Sequence, residues 1–178
     1  MKKPLVISLI GGPGSGKSTT ACGLFYELKK LGFNCELALE FAKDKVYEES
    51  FRTMDDQIYI FAKQYHKLWR LRDKVDIIIT DSPLPISLFY NKEESEYFDK
   101  FVIEQYNKFE NILYFIDRDD SFFQQSGRLH NLEESKNIDT ELLSILDKYN
   151  IPYSRVKCAD ALPSILKTVK ITMELNKN

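Results

Sequence analysis

Residues 11–19 of this chain read GGPGSGKST, and the run fits the pattern G-x-x-x-x-G-K-[ST]. Its four fixed positions are occupied by Gly11, Gly16, Lys17 and Ser18. An apolar run precedes it at residues 5–10, and residues 19–31 follow with the pattern of a helix. A strand, a glycine-rich loop and a helix in that order are the setting in which this pattern forms a phosphate-binding loop, or P-loop.

The residue types of the P-loop suit a nucleoside triphosphate. Glycines let the backbone turn and approach an anion without an intervening side chain, and the amide N–H groups of residues 14–17 then surround phosphate oxygens. The helix N-terminus adds partial positive charge. Lys17 is predicted to reach the β- and γ-phosphates and Ser18 to ligate Mg²⁺. The sequence therefore predicts ATP and Mg²⁺ as cofactors, with the nucleotide bound by Gly12, Pro13, Gly14, Ser15, Gly16, Lys17, Ser18 and Thr19.

The composition indicates one globular domain. The chain has 178 residues, of which 43% are hydrophobic, and the net charge of −2 gives no general surface for polyanions. Three cysteines without a metal-binding spacing suit free thiols in a reducing compartment. No run approaches the 18 or so apolar residues of a membrane span. We therefore expect a single domain over residues 1–178, in the cytoplasm and without membrane contact.

Strand-like and helix-like segments alternate along the chain, which predicts an α/β fold with a parallel sheet. The predicted strands are residues 5–10, 33–39, 75–80, 111–116 and 152–156. Helices are predicted between them and after the last strand, on both faces of the sheet. Residues 118–131 are polar and predict a small lid.

Two helices carry more detailed predictions. A helix to about Lys74 is expected to begin at a cap on Asp55 or Asp56, and Asp160 is expected to cap the last helix. The first of these helices has apolar residues at three- and four-residue intervals, which predicts one buried face. That face would contain Ile58, Phe61, Ala62, Tyr65 and Trp69.

Polar residues follow three of the predicted strands, at the sheet edge where ligands of such folds bind. Glu40 follows the second strand, Asp81 the third and Arg118 the fourth. Asp81 is predicted to hold Mg²⁺ together with Ser18. Either Glu40 or Asp81 could accept the proton of an attacking hydroxyl, and the sequence leaves both open.

Two arginines flank the predicted lid. Phosphoryl transfer spreads negative charge over equatorial oxygens, and a fixed guanidinium can stabilise it. Arg118 and Arg128 are therefore candidate catalytic residues, and Gly127 would permit the turn that directs Arg128 inward.

Nearly the whole chain resembles the small P-loop kinases of the nucleoside and nucleotide kinase group. It is similar to phage-encoded AAA-domain or nucleotide-kinase-like proteins and to the nicotinamide riboside kinase domain. The residues that carry the resemblance are the P-loop, the run EFAKD at 40–44, the run IITDSP at 78–83 and the pair at 127–128. The resemblance implies the strand order 2-3-1-4-5, ATP and Mg²⁺ on the P-loop, and an acceptor between Glu40, Asp81 and the helices after them.

These features predict an ATP- and Mg²⁺-dependent kinase for a nucleoside, a nucleotide or a related small molecule. One alternative is a kinase for nucleic acid, acting on a modified base or a 5′-hydroxyl, because residues 47–72 mix aromatic and basic side chains. Another is an ATP-binding regulatory protein or ATPase. The fourth strand ends without the Asn/Thr-Lys-x-Asp motif of GTPases. Buried and interface helix faces share one pattern, so the sequence predicts no oligomeric state.

Overall fold

A computed structural model describes residues 3–91, 95–124 and 130–175. Its centre is a sheet of five parallel strands in the order β2-β3-β1-β4-β5, which confirms the predicted order. The strands are β1 (Leu5–Ile10), β2 (Cys35–Leu37), β3 (Ile77–Thr80), β4 (Glu110–Asp117) and β5 (Ser154–Lys157).

Helices cover both faces of the sheet. In chain order they are α1 (Lys17–Lys30), α2 (Ala42–Tyr47), α3 (Phe51–Asp55), α4 (Gln57–Trp69), α5 (Ile86–Phe89), α6 (Glu96–Tyr106), α7 (Leu132–Lys148) and α8 (Cys158–Leu175). A short 3₁₀ turn lies at Asp120–Phe122. Within the described ranges, no helix combines the length and the apolar character that crossing a bilayer requires.

The central strand β1 is buried along its whole length, because it has a neighbour on each side and helices above and below. Its residues alternate between two cores. Leu5, Ile7 and Leu9 pack towards α1 and α8, whereas Val6 and Ile10 pack towards α4, α6 and α7. The carboxyl end of β1 leads directly into the P-loop at the edge of the sheet.

The region after β2 differs from the prediction. The strand keeps only three residues, Cys35–Leu37. The segment between β2 and α4 forms two short helices, α2 and α3. Asp56 caps α4, where its carboxylate accepts the Tyr59 N–H at 3.0 Å. The predicted cap at Asp160 is wrong, because α8 already begins at Cys158.

The predicted buried face of α4 is only partly correct. Phe61 is buried, but Ile58 is 69% exposed and Trp69 51% exposed, and Ala62 is exposed as well. The helix packs inward through Phe61, Gln64 and Leu68 instead. The apolar residues form two adjacent stripes, and the sequence pattern does not distinguish the stripe that meets the sheet from the stripe beside it.

The predicted lid at 118–131 is described only in part. The structure describes it to residue 124 and again from residue 130. Asn131 caps α7, and its side chain and that of Glu134 bond to each other's backbone N–H groups. Gly127 and Arg128 lie outside the described residues, so the lid and the role of Arg128 remain predictions.

Candidate functional site

The P-loop connects β1 to α1 and has the shape that its glycines predict. Gly14 and Gly16 adopt φ angles of 81° and 91°, a conformation in which a side chain is strained. A Cβ at Gly16 would also overlap the Sγ atom of Cys158, at the start of α8. A cavity of about 220 Å³, which we term the P-loop cavity, opens here. Its walls include Pro13, Gly14, Gly16, Lys17, Ser18 and Thr19.

Lys17 folds back inside the P-loop. Its Nζ donates hydrogen bonds to the carbonyl oxygens of Gly11 at 2.7 Å and Gly12 at 2.9 Å. Burial lowers the pKa of Lys17, while the nearby carboxylates of Glu40 and Asp81 act in the opposite direction. The ammonium is thus hydrogen-bonded to the loop carbonyls, and two acidic side chains lie near enough to influence its pKa.

Asp81 connects the ends of β2 and β3. Its side chain is buried, and Oδ1 accepts the backbone N–H of Glu40 at 2.9 Å. Beside it the Thr80 hydroxyl donates to the Ala38 carbonyl at 2.7 Å. The two carboxylates that the sequence proposed as candidates are therefore adjacent, and one of them fixes the backbone of the other.

A buried side chain of α4 completes the support of this turn. Gln64 accepts the Phe41 N–H at 3.0 Å through Oε1, and its Nε2 donates to the Ala38 carbonyl at 3.3 Å. The Lys67 ammonium donates to the Leu39 carbonyl at 2.8 Å. Residues 38–41 leave the sheet but remain hydrogen-bonded on both sides. Sequence reasoning missed Gln64, and its only signal was a polar residue next to the apolar positions of α4.

Glu40 is held in a partly desolvated position. Burial raises the pKa of Glu40, and the negative charge of Asp81 adds to this effect. Lys17, Lys43 and Lys67 act in the opposite direction but do not cancel it. A carboxylate with a raised pKa is a stronger base than an exposed glutamate.

A second and larger cavity, of about 560 Å³, adjoins the P-loop cavity. The two cavities share one wall, formed by Glu40, Met54, Ile86, Phe89, Tyr90, His130 and Ile138. Burial and the charge of Glu40 raise the pKa of Tyr90 to about 12, so its hydroxyl stays protonated. The volume is that of a small-molecule site. Glu40 thus lies where the two cavities meet.

Carboxylates are prominent among the polar walls of the larger cavity. Four carboxylates line it, and among the described lining residues there is no lysine or arginine. The carboxylates belong to Glu40, Asp55, Glu134 and Glu141. In the part of the chain that the structure describes, the Oε1 atom of Gln57 is buried without a hydrogen-bond partner, while its Nε2 donates to the Met54 carbonyl at 2.7 Å. That bond fixes the orientation of the Gln57 amide and leaves its Oε1 atom as an unsatisfied acceptor.

The structure places Arg118 behind the P-loop. Its Nε donates to Asp139 of α7 at 2.7 Å, and its Nη atoms donate to the carbonyls of Pro13 and Ser135, each at 3.0 Å. The other oxygen of Asp139 accepts the Gly12 N–H at 2.5 Å. Asp139 was not anticipated from the sequence, because its partners are more than 20 residues away.

The residues proposed for Mg²⁺ have the donor chemistry that the ion prefers. Ser18 supplies a hydroxyl on the wall of the P-loop cavity, and Asp81 supplies a carboxylate. Mg²⁺ retains several waters and needs few protein ligands, so the donor types of these two residues suit it. Within the described ranges, no group of three or more His, Cys, Asp or Glu side chains forms a metal site of another kind.

This fold and loop define an α/β protein of the P-loop class. The family model described as an AAA domain matches residues 6–161, and the chain belongs to that family. None of the curated proteins matches the chain. A solved deoxyadenosine kinase from M. mycoides with bound dATP is similar at 17% identity, with a TM-score of 0.56. The match covers 93% of this chain and 99% of that chain, and it confirms the predicted P-loop kinase fold.

Proposed function

We propose that the protein is a kinase that transfers the γ-phosphoryl group of ATP to a hydroxyl of an unphosphorylated nucleoside or a similar small molecule. The observation that carries the proposal is the position of Glu40 between the P-loop cavity and the larger cavity. A phosphoryl donor on one side and an acceptor on the other would both meet this carboxylate, which is the arrangement that in-line transfer needs.

The P-loop forms the donor half of the site in this proposal. Lys17 would turn from the carbonyls of Gly11 and Gly12 to the β- and γ-phosphates and neutralise their charge. Ser18 and Asp81 would hold Mg²⁺, which supplies further charge neutralisation. The backbone N–H groups at the start of α1 would bind the remaining oxygens.

The two carboxylates have different surroundings, and this favours Glu40 as the base. Asp81 is only 2% exposed and uses one oxygen to accept the Glu40 N–H. Glu40 lines both cavities and has a raised pKa, owing to burial. We therefore assign proton acceptance from the substrate hydroxyl to Glu40, and assign Asp81 to the metal and to the support of Glu40.

The larger cavity favours a nucleoside over a nucleotide. A phosphate on the acceptor would lie among four carboxylates without a described cation on the walls, and like charges at short range repel. Hydroxyl and amino groups would instead donate to these oxygens. The same walls disfavour a nucleic acid strand, whose phosphates need basic contacts.

The proposal is tested by ADP release from Mg²⁺-ATP in the presence of separate nucleosides, mononucleotides and oligonucleotides. We expect release that depends on one nucleoside and disappears in Lys17→Met. Release without any acceptor would instead indicate an ATPase. Release that requires an oligonucleotide would indicate a nucleic acid kinase. ATP binding without release in any mixture would indicate a regulatory protein.

A further inference from the structure

We propose that Asp139 and Arg118 are positioning residues that hold residues 12 and 13, the outer arm of the P-loop, in the nucleotide-binding shape of the loop. The inference rests on the proposed use of this loop for ATP, but not on the identity of the acceptor. It assigns a function to a pair that lies on two elements outside the P-loop, at the end of β4 and on α7. Neither residue lines the P-loop cavity among its described walls.

The contacts of the pair reach two consecutive residues of the loop, Gly12 and Pro13. Asp139 Oδ1 accepts the Gly12 N–H at 2.5 Å, and Arg118 Nη1 donates to the Pro13 carbonyl at 3.0 Å. The second carboxylate oxygen, Asp139 Oδ2, pairs with Arg118, at 2.6 Å from Nη2 and 2.7 Å from Nε. Arg118 Nη2 also donates to the Ser135 carbonyl on α7. The loop arm is therefore bonded through both its donor and its acceptor groups.

Burial makes these bonds energetically significant. The side chains of Arg118 and Asp139 are 7% and 17% exposed. The neighbouring pair of Arg155 and Asp117 has a similar bidentate geometry, but its side chains are 57% and 30% exposed. Removing one partner of a buried pair leaves an uncompensated charge, whereas exposed pairs contribute little. The exposed pair, which joins β4 and β5, is therefore a control with the same residue types.

Gly12 shows that the loop arm has little room to move. A Cβ at this position would overlap the Ser135 carbonyl, the Arg118 guanidinium and the Asp139 carboxylate. The P-loop pattern leaves this position open to any residue, and Gly12 is not among the glycines with a positive φ. The requirement for glycine therefore comes from the close approach of the Ser135 backbone and of the Arg118–Asp139 pair, and not from the phosphate-binding geometry.

The same contacts argue against direct catalysis by Arg118. All three of its guanidinium nitrogens already donate to protein oxygens behind the loop. Reaching a phosphoryl group would break a buried ion pair. Arg118 therefore acts through the backbone of the loop.

The test compares Asp139→Leu, Asp139→Asn and Asp117→Leu by titration with Mg²⁺ and a non-hydrolysable ATP analogue. We expect Asp139→Leu to raise the Kd about 10- to 100-fold, the size expected for a buried charged partner. Asp139→Asn keeps an oxygen for the Gly12 N–H but removes the charge that pairs with Arg118, so its Kd should lie between those of the wild type and Asp139→Leu. Asp117→Leu should remain within about twofold of the wild type, since exposed pairs contribute little.

The outcomes separate this inference from the proposed function. Suppose that the wild type binds the analogue and that both Leu variants unfold thermally like the wild type. Equal Kd values for Asp139→Leu and Asp117→Leu would then overturn the inference but leave the proposed function standing. A wild type that does not bind the analogue overturns both. If Asp139→Leu does not fold, Gly12→Ala replaces it, with Gly23→Ala of α1 as the control whose Cβ meets only the flexible Leu162 side chain. An unchanged Kd in Gly12→Ala also overturns the inference.

Discussion

The two cavities are built in different ways. The P-loop cavity has one continuous segment as its floor, and its shape depends on backbone angles and on backbone hydrogen bonds. The larger cavity is assembled from side chains of α3, α4, α5 and α7 together with the turn after β2. A site made by one backbone segment has a recognisable sequence, whereas a site made by many side chains does not. The substrate that distinguishes one P-loop kinase from another would bind in the second kind.

The difference has a consequence for mutation. Changes in the P-loop should affect nucleotide binding and every reaction that follows from it. Changes in the larger cavity should affect only the acceptor-dependent step. The Kd of an ATP analogue, measured alongside turnover with a nucleoside that the protein accepts, separates the two effects.

Lys17→Met should have the largest effect. The variant keeps the length of the side chain but removes the cation that would face the phosphates. We expect turnover to fall at least about 100-fold, as for the loss of one preorganised electrostatic contact in other enzymes. Steady-state kinetics measure it, with circular dichroism to confirm the fold. Turnover close to that of the wild type would contradict the assignment of the P-loop.

Glu40→Gln should reduce acceptor-dependent turnover about 100-fold or more, because it removes the base but preserves size. The Kd of the ATP analogue should stay within about twofold, since Glu40 would not hold the phosphates. A loss of turnover without a loss of affinity would distinguish the role of Glu40, where the two cavities meet, from that of the P-loop. A greater loss of turnover in Asp81→Asn, with Glu40→Gln close to the wild type, would assign the base to Asp81.

Gln64→Leu should have a moderate effect that is confined to the acceptor step. It removes both hydrogen bonds to residues 38–41 and loosens the turn that carries Glu40. Small displacements of a catalytic group lower rates substantially, and we expect kcat to fall about 10-fold. Lys63→Ala, an exposed change on the same helix, is the control. A rise in the Kd of the ATP analogue as large as the fall in kcat would show that the nucleotide site and the acceptor site are not separable.

The smallest effect concerns stability and its dependence on pH. The folded state holds the proton of Glu40 more tightly than the unfolded chain, because burial raises its pKa. At pH values above the ordinary pKa of glutamate, about 4.3, the ionised carboxylate of Glu40 therefore lowers the free energy of unfolding. Glu40→Gln should be more stable than the wild type at pH 7, by about 0.5–2 kcal/mol. The gain should disappear below about pH 4.

Thermal or urea unfolding at several pH values measures this difference, with the exposed Glu110→Gln as the control. A gain that persists unchanged at low pH would indicate a packing effect and not the removal of a buried charge.

The sequence predicted the features that local chemistry determines. The P-loop, the five strands and the Asp56 cap each depend on residues close together in the chain. The short strand β2, the exposure of Ile58 and Trp69 and the roles of Gln64 and Asp139 depend on partners far away. For Asp139 the partner N–H is 127 residues distant. No pattern within one segment contains that information.

The turn after β2 has a consequence for hydrogen exchange. Residues 40 and 41 lie beyond the last ladder bond of β2, where amides normally exchange quickly with solvent. Here the Glu40 N–H donates to the buried Asp81 and the Phe41 N–H to the buried Gln64. Both amides should be protected as strongly as those inside the sheet. Their exchange rates report directly on how firmly the proposed base is held, without any substrate.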